Sequence, residues 1–332
     1  MTELDPPAPD PPKRLWMRRL VTSVLAVASL IFVVWMVPFK DRCTDAGCEP
    51  GLFTTLRHTN GLLVAALFVL YLLGTLAWAA RWRALLGVAD VELTLLDTWR
   101  ITLEAQAGGI MLPGGIAGDA LRVASVHQRA PAVVLPKVFA SLLADRIIGL
   151  VTLASIAAVA GLAFPGAGTK RDTALLLAAI PVASVLGWLG IRHPAVARSR
   201  LLTTSKLGAR FVRPILEYAA SKRGPRAMGK GLLLSLLVSG TQLLVVRGFI
   251  AALGVAPEHE ALVYVGTTFG MIVAAVPVTP GAWGTAEAAY VFFLGQAGVA
   301  APAAAAVCLL YRVFWYASGV VGAGSALARN RR

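Results

Sequence analysis

Charged side chains are scarce in this chain. Only 14% of its 332 residues are Asp, Glu, Lys or Arg, against 57% hydrophobic, which is too little charge to clothe a water-soluble surface. Carboxylates are rarer still, 17 against 31 Lys and Arg, giving a formal net charge of +14. The four histidines, His58, His127, His193 and His259, stand far apart with no metal-ligand spacing. No phosphate loop, nucleophile elbow or dinucleotide fingerprint is present, and no convincing strand that could carry one. A separate soluble domain is excluded. The expectation is a protein that is not an enzyme and has no cofactor and no metal. Nucleic acid is excluded as a partner despite the basic balance, because the cations fall in loops between apolar runs, the positive-inside pattern.

What the sequence has is long apolar runs. A bilayer core about 30 Å thick takes about 20 apolar residues per helix. Runs of that kind span Leu20 to Val37, Gly61 to Ala80, Val138 to Phe164, Thr173 to Ile191, Leu232 to Leu253, Leu262 to Val276, Ala286 to Gly298 and Ala303 to Leu327. The chain is therefore expected to be an all-α polytopic membrane protein with about 7–9 transmembrane helices. Residues 1–19, with Pro6, Pro7, Pro9, Pro11 and Pro12, form a disordered cytoplasmic tail, and 20–328 a single integral membrane domain. Both termini are expected in the cytoplasm, with the protein in the cell (inner) membrane.

Cationic flanks orient the runs. Lys13, Arg14, Arg18 and Arg19 precede the first, and Arg81-Trp82-Arg83 returns the second to the cytoplasm. Residues 39–60 then lie outside, where Cys43 and Cys48 are a candidate disulfide. The segment 192–230 carries ten Lys and Arg against a lone Glu217 and is cytoplasmic. Within it Leu207, Phe211, Ile215 and Tyr218 recur at helical spacing, as in an amphipathic helix on the anionic leaflet.

Two runs are interrupted. "MLPGGIAGDALR", Met111 to Arg122, breaks at Pro113, Gly114, Gly115 and Gly118. "VPVTPGAWGTAEAAY", Val276 to Tyr290, breaks at Pro280, Gly281 and Gly284. A single crossing from Leu95 to Leu112 would put Arg122, Arg129 and Lys137 outside and invert every later span. Leu95 to about Val134 is therefore expected to leave and return on the cytoplasmic side, as two short crossings or as a re-entrant hairpin, and the helix breakers Gly108, Gly109, Pro113, Gly114, Gly115 and Gly118 favour the hairpin. Each break is followed by a carboxylate, Asp119 or Glu287, at the start of the next helix. Paired Pro/Gly interruptions in two halves of a membrane protein point to an inverted repeat with a midplane site. Either carboxylate could cap its own helix or face a polar groove.

Other charges stand inside apolar runs. Arg122 shares a helix face with Asp119, so the two could neutralise one another. Asp145 and Arg146 are adjacent, so each needs a different partner, while Arg247 and Arg312 are also intramembrane by this count. Charges at such depth cost at least about 2.5–3.5 kcal/mol and mark functional sites or structural ion pairs.

The stretches "LPGGIAGDALR" at 112–122, "LLADRIIGL" at 142–150 and "PVTPGAWGTAEAAYVFFLGQAGV" at 277–299, with Arg312 in the last helix, resemble the lysylphosphatidylglycerol synthase transmembrane family, a flippase-like region. The family often has Glu where Asp119 and Asp145 stand, and a basic residue before the second acid, where this chain has Trp283 and Ala286. No stretch beyond Leu327 matches the aminoacyltransferase domain, so a stand-alone member is expected. The resemblance implies a flippase that moves the headgroup of a phospholipid or polyprenyl-linked lipid through a polar groove. Asp119, Arg122, Asp145, Arg146, Glu287 and Arg312 would line the groove, and the partners would be membrane lipids with anionic or zwitterionic headgroups. A membrane-embedded transferase of a glycolipid pathway and a non-transporting scaffold are the alternatives; a homo-oligomer is compatible with either.

Overall fold

The computed structural model describes Ile31, Trp35 and residues 37–44, 47–109, 116–163, 171–193, 212–275, 279 and 282–330. The predicted first span and proline-rich tail lie almost wholly outside the described residues, as do Pro113, Gly114, Gly115, Pro280, Gly281, Leu207 and Phe211. A short hairpin comes first, β1 (Arg42–Thr44) and β2 (Gly47–Glu49). Helices follow: α1 (Leu52–Arg57), α2 (Gly61–Leu86), α3 (Leu95–Gly109), α4 (Ile116–Arg129), α5 (Leu135–Ala163), α6 (Arg171–Arg192) and α7 (Arg213–Ala220), then α8 (Gly224–Ala252), α9 (Glu260–Ala275), α10 (Thr285–Gly295) and α11 (Ala301–Asn330).

Among the described residues four helices are long and apolar enough to cross a membrane, at Gly61–Ala89, Leu135–Ala163, Gly224–Ala252 and Ala301–Ser325, with shorter apolar stretches at Leu177–Ile191 and Glu260–Ala275. The protein is a helical, multi-pass membrane protein. The all-α expectation holds for the bundle, and the hairpin beside it, with three residues per strand, is too short to leave an alternating pattern. Cys43 faces Cys48 across it, and a disulfide joins them. The Asp41 carboxylate accepts the N–H of Gly51 at 2.7 Å, fastening the hairpin to the start of α1.

Lipid tails are as apolar as leucine, so close contact rather than the hydrophobic effect joins helices in a bilayer. Small residues provide that contact. α2 runs antiparallel to α8, with the Asn60 N–H donating to the Ala252 carbonyl at 2.8 Å. Gly74 sits so close to α8 that a Cβ there would lie 2.6 Å from Thr241 Oγ1. Gly322 of α11 meets α3 in the same way, where a Cβ would lie 2.4 Å from the Leu103 carbonyl carbon. Leu233, Val182 and Val320 point outward, exposed, as lipid-facing side chains should.

One core gathers Tyr71, Phe249, Leu294 and Phe314, the other Trp82, Leu85, Ile101, Val126 and Val138. The second also receives Tyr218 and Ile215 of α7, and Tyr218 Oη donates to the Leu85 carbonyl at 3.1 Å. The apolar side of this turn, expected on the leaflet, is thus occupied by protein. α3 and α4 pack together on either side of 110–115 and α9 and α10 on either side of the second break, and one helix of each pair, α3 and α10, packs on α11.

Candidate functional site

The first buried cluster begins on α2. Trp78, Arg81 and Trp82 fall at i, i+3 and i+4, so one helix face carries two indoles and a guanidinium into the bundle. Arg81 is 5% exposed. Its Nε donates to Asp145 Oδ1 at 2.7 Å, its Nη2 to Asp145 Oδ2 at 3.1 Å, and its Nη1 to Ser235 Oγ at 2.9 Å. Trp78 Nε1 completes the carboxylate shell, donating to Asp145 Oδ2 at 2.9 Å. The sequence places Arg81 as a cationic cytoplasmic flank of the second span; the fold buries it instead, and the i, i+3, i+4 run of Trp and Arg is the local signal of that burial.

Arg122 enters the same cluster from α4. It is 4% exposed. Its guanidinium lies 4.5 Å from the Trp78 ring centroid and 5.1 Å from that of Trp82, geometries of cation–π contact. Its ion pair with Asp145 is loose, at 4.0 Å, and its Nε has no hydrogen-bond partner. The charges acting on it are Asp145, Asp119, Arg146 and Arg81. Among the described residues three guanidiniums therefore meet two carboxylates, a surplus of one positive charge.

The expected intrahelical pair of Asp119 with Arg122 does not form. Adjacent residues on a helix diverge by about 100°, so Asp145 turns into the bundle while Arg146 turns to its edge. There Arg146 Nε donates to Asp119 Oδ2 at 2.7 Å. Both side chains are partly exposed. The requirement for separate partners of Asp145 and Arg146 is met across helices.

The second cluster lies just past the second break. Glu287 is 4% exposed, and its Oε2 accepts the Gly284 N–H at 2.8 Å, capping α10. Gly284 has φ of +78°, a backbone that a side chain would strain. Arg312 of α11 pairs with Glu287, its Nη2 donating to Glu287 Oε2 at 3.1 Å and to the Ala282 carbonyl at 2.8 Å. Its guanidinium stacks 4.1 Å from the Trp283 ring centroid. The basic group missing before Glu287 in the sequence is thus supplied from another helix.

The six predicted residues form three ion pairs or near-pairs rather than one line. Trp78 of the first cluster faces Trp315 of α11 at 6.4 Å between centroids, and Trp315 stands one turn from Arg312. Beside them a cavity of about 20 Å³, room for a single water, is lined by Tyr71, Thr75, Gln106, Gln242 and Tyr311 among others. Arg247 is not deep. It sits near the end of α8 and forms an ion pair with Glu260 at the start of α9. Among the described residues no group of three or more His, Cys, Asp and Glu could hold a metal ion.

The chain is 26% identical to Glycosyltransferase AglD of Haloferax volcanii over 94% of its own length and 55% of that protein. It is 22% identical to a UPF0104 membrane protein of Methanothermobacter thermautotrophicus over 90% of both. The chain therefore spans about half the length of the glycosyltransferase and nearly all of the second relative. The glycosyltransferase corrects the expectation that the chain is not an enzyme. Phosphate loops, nucleophile elbows and dinucleotide fingerprints belong to strand-and-loop sites, and their lack excludes no chemistry in a helical membrane protein. The lysylphosphatidylglycerol synthase TM region matches residues 20–322, a range that holds both buried clusters. The chain belongs to the lysylphosphatidylglycerol synthase TM region family.

Proposed function

We propose that this protein is a lipid translocator, receiving the polar headgroup of a phospholipid or polyprenyl-linked lipid within the bundle while the tails stay in the bilayer. The observation that carries this is Arg122, a buried guanidinium with an unpartnered Nε in a cluster of surplus positive charge. A buried cation held only by a loose, shared ion pair is costly. A phosphate would satisfy it, since the guanidinium fork matches phosphate oxygens with paired hydrogen bonds. Trp78 and Trp82 hold the plane of the fork, and the Arg81–Asp145 pair fixes Trp78 in turn. Asp119 and Arg146, at the partly exposed edge of the cluster, are placed to exchange partners with a zwitterionic headgroup. In the cell membrane, with both termini cytoplasmic, the basic segment 192–230 would face the anionic leaflet.

The glycosyltransferase relative supports a second reading, that the chain is the membrane part of a glycolipid-pathway transferase. Reconstitution in liposomes carrying headgroup-labelled phospholipids and polyprenyl phosphates tests the first reading. Wild type is expected to move at least one label across the bilayer, and Arg122→Met to move it at least tenfold more slowly. If wild type moves none, or the variant matches it, translocation through this site is wrong. Incubation of the same liposomes with nucleotide sugars tests the second, the expected product being a glycosylated lipid.

A further inference from the structure

A second cationic site lies outside both clusters. Where α2 ends and α8 begins, a cleft of about 540 Å³ is lined by Lys222, Arg223, Arg226 and Lys230 over a floor of Ala84, Gly87, Val88 and Ala227. Sites that hold small ligands are typically about 300–1,000 Å³. Arg226 and Lys230 stand four residues apart on α8 and so share one face, while Lys222 lines the cleft from the turn two residues before the helix. Arg223 is engaged, its Nη1 donating to Asp90 Oδ1 at 3.1 Å. Among the described residues Lys222, Arg226 and Lys230 have no ion pair.

This arrangement works against helix electrostatics. The N-terminus of a helix carries partial positive charge and favours carboxylates, yet the first turn of α8 has none. Like charges at i, i+4 repel as well. Three exposed cations without an ion pair, gathered around a small-residue floor at a helix start, favour an anion. The floor side chains are too small to fill the cleft, so space and charge coincide.

We propose that this cleft binds a phosphate group, presented by an anionic lipid headgroup or by a soluble phosphate compound. The site is separate from Arg122 and does not rest on the translocation reading. The protein in neutral detergent is titrated calorimetrically with dihexanoyl phosphatidic acid and with inorganic pyrophosphate. Wild type is expected to bind at least one of the two. Lys222→Gln/Arg226→Gln/Lys230→Gln together should weaken that binding about 100-fold, from about fivefold per cation near a surface. Arg57→Gln, at α1 away from the cleft, should leave it unchanged. Binding of the lipid alone assigns the site to a headgroup, and binding of pyrophosphate as well assigns it to the phosphate itself. The unliganded triple variant should melt no lower than wild type, because repulsion is relieved. If wild type binds neither probe, or the triple variant binds as tightly as wild type, or melts lower without ligand, the proposal is overturned.

Discussion

The two breaks are built alike and balanced differently. At each, a helix restarts with a carboxylate in its first turn, and an arginine from a later helix reaches it: Arg146 to Asp119, Arg312 to Glu287. At the second break the charges close, one to one, with the cap N–H, a carbonyl and an indole completing the shell. At the first, Arg81 and Arg122 share Asp145 and one guanidinium nitrogen is left over. A closed cluster holds a fold in place, whereas an open one has capacity for a ligand.

The largest expected effect breaks the open cluster. Asp145→Ala leaves Arg81 and Arg122 buried without their carboxylate and should cost about 3–5 kcal/mol, read from unfolding midpoints in detergent. At the closed cluster, Glu287→Gln removes the carboxylate charge that faces Arg312 but keeps an oxygen for the Gly284 N–H. It should cost about 1.5–3 kcal/mol, and the variant should be no worse than wild type if the pair is only a surface contact. Gly284→Ala, forcing a side chain into a positive-φ backbone, should cost about 1–2 kcal/mol by the same measurement.

Arg122→Met sharpens the contrast most. Removing the surplus cation leaves Arg81 and Asp145 paired one to one, so stability should change by less than about 1 kcal/mol while headgroup movement is lost. A large destabilisation would make Arg122 a structural counter-ion instead. The smallest effect lies outside the bundle. The Gly51 N–H, then Thr54, hold the Asp41 carboxyl below its ordinary 3.8. Its contribution is complete above that pH and fades as pH falls below it. Gly51 amide exchange should quicken, relative to the intrinsic rate, only in that acid range.

Much of the site was visible locally, and the pairing was not. Glu287 three residues after Gly284 is the spacing of a helix cap, and it caps. Asp119 three residues before Arg122 looked like a pair, but the restart of α4 places Arg122 among indoles of α2 and Asp119 at the rim. Arg81 was hidden because a cation after an apolar run has the same appearance whether it faces water or a buried carboxylate. The hairpin at Cys43 and Cys48 was hidden as strands, though not as a disulfide, because three residues carry too little alternation.

Contiguous residues are enough to specify a bundle of membrane helices with two Pro/Gly interruptions. Apolar length and Pro/Gly breaks act locally, and the bilayer reads them without regard to the rest of the chain. Which charges meet is settled by helix packing. Arg81 and Asp145 are 64 residues apart in sequence, and no local rule joins them. Helix packing does, because a charge buried away from water must find a partner wherever the neighbouring helix places one.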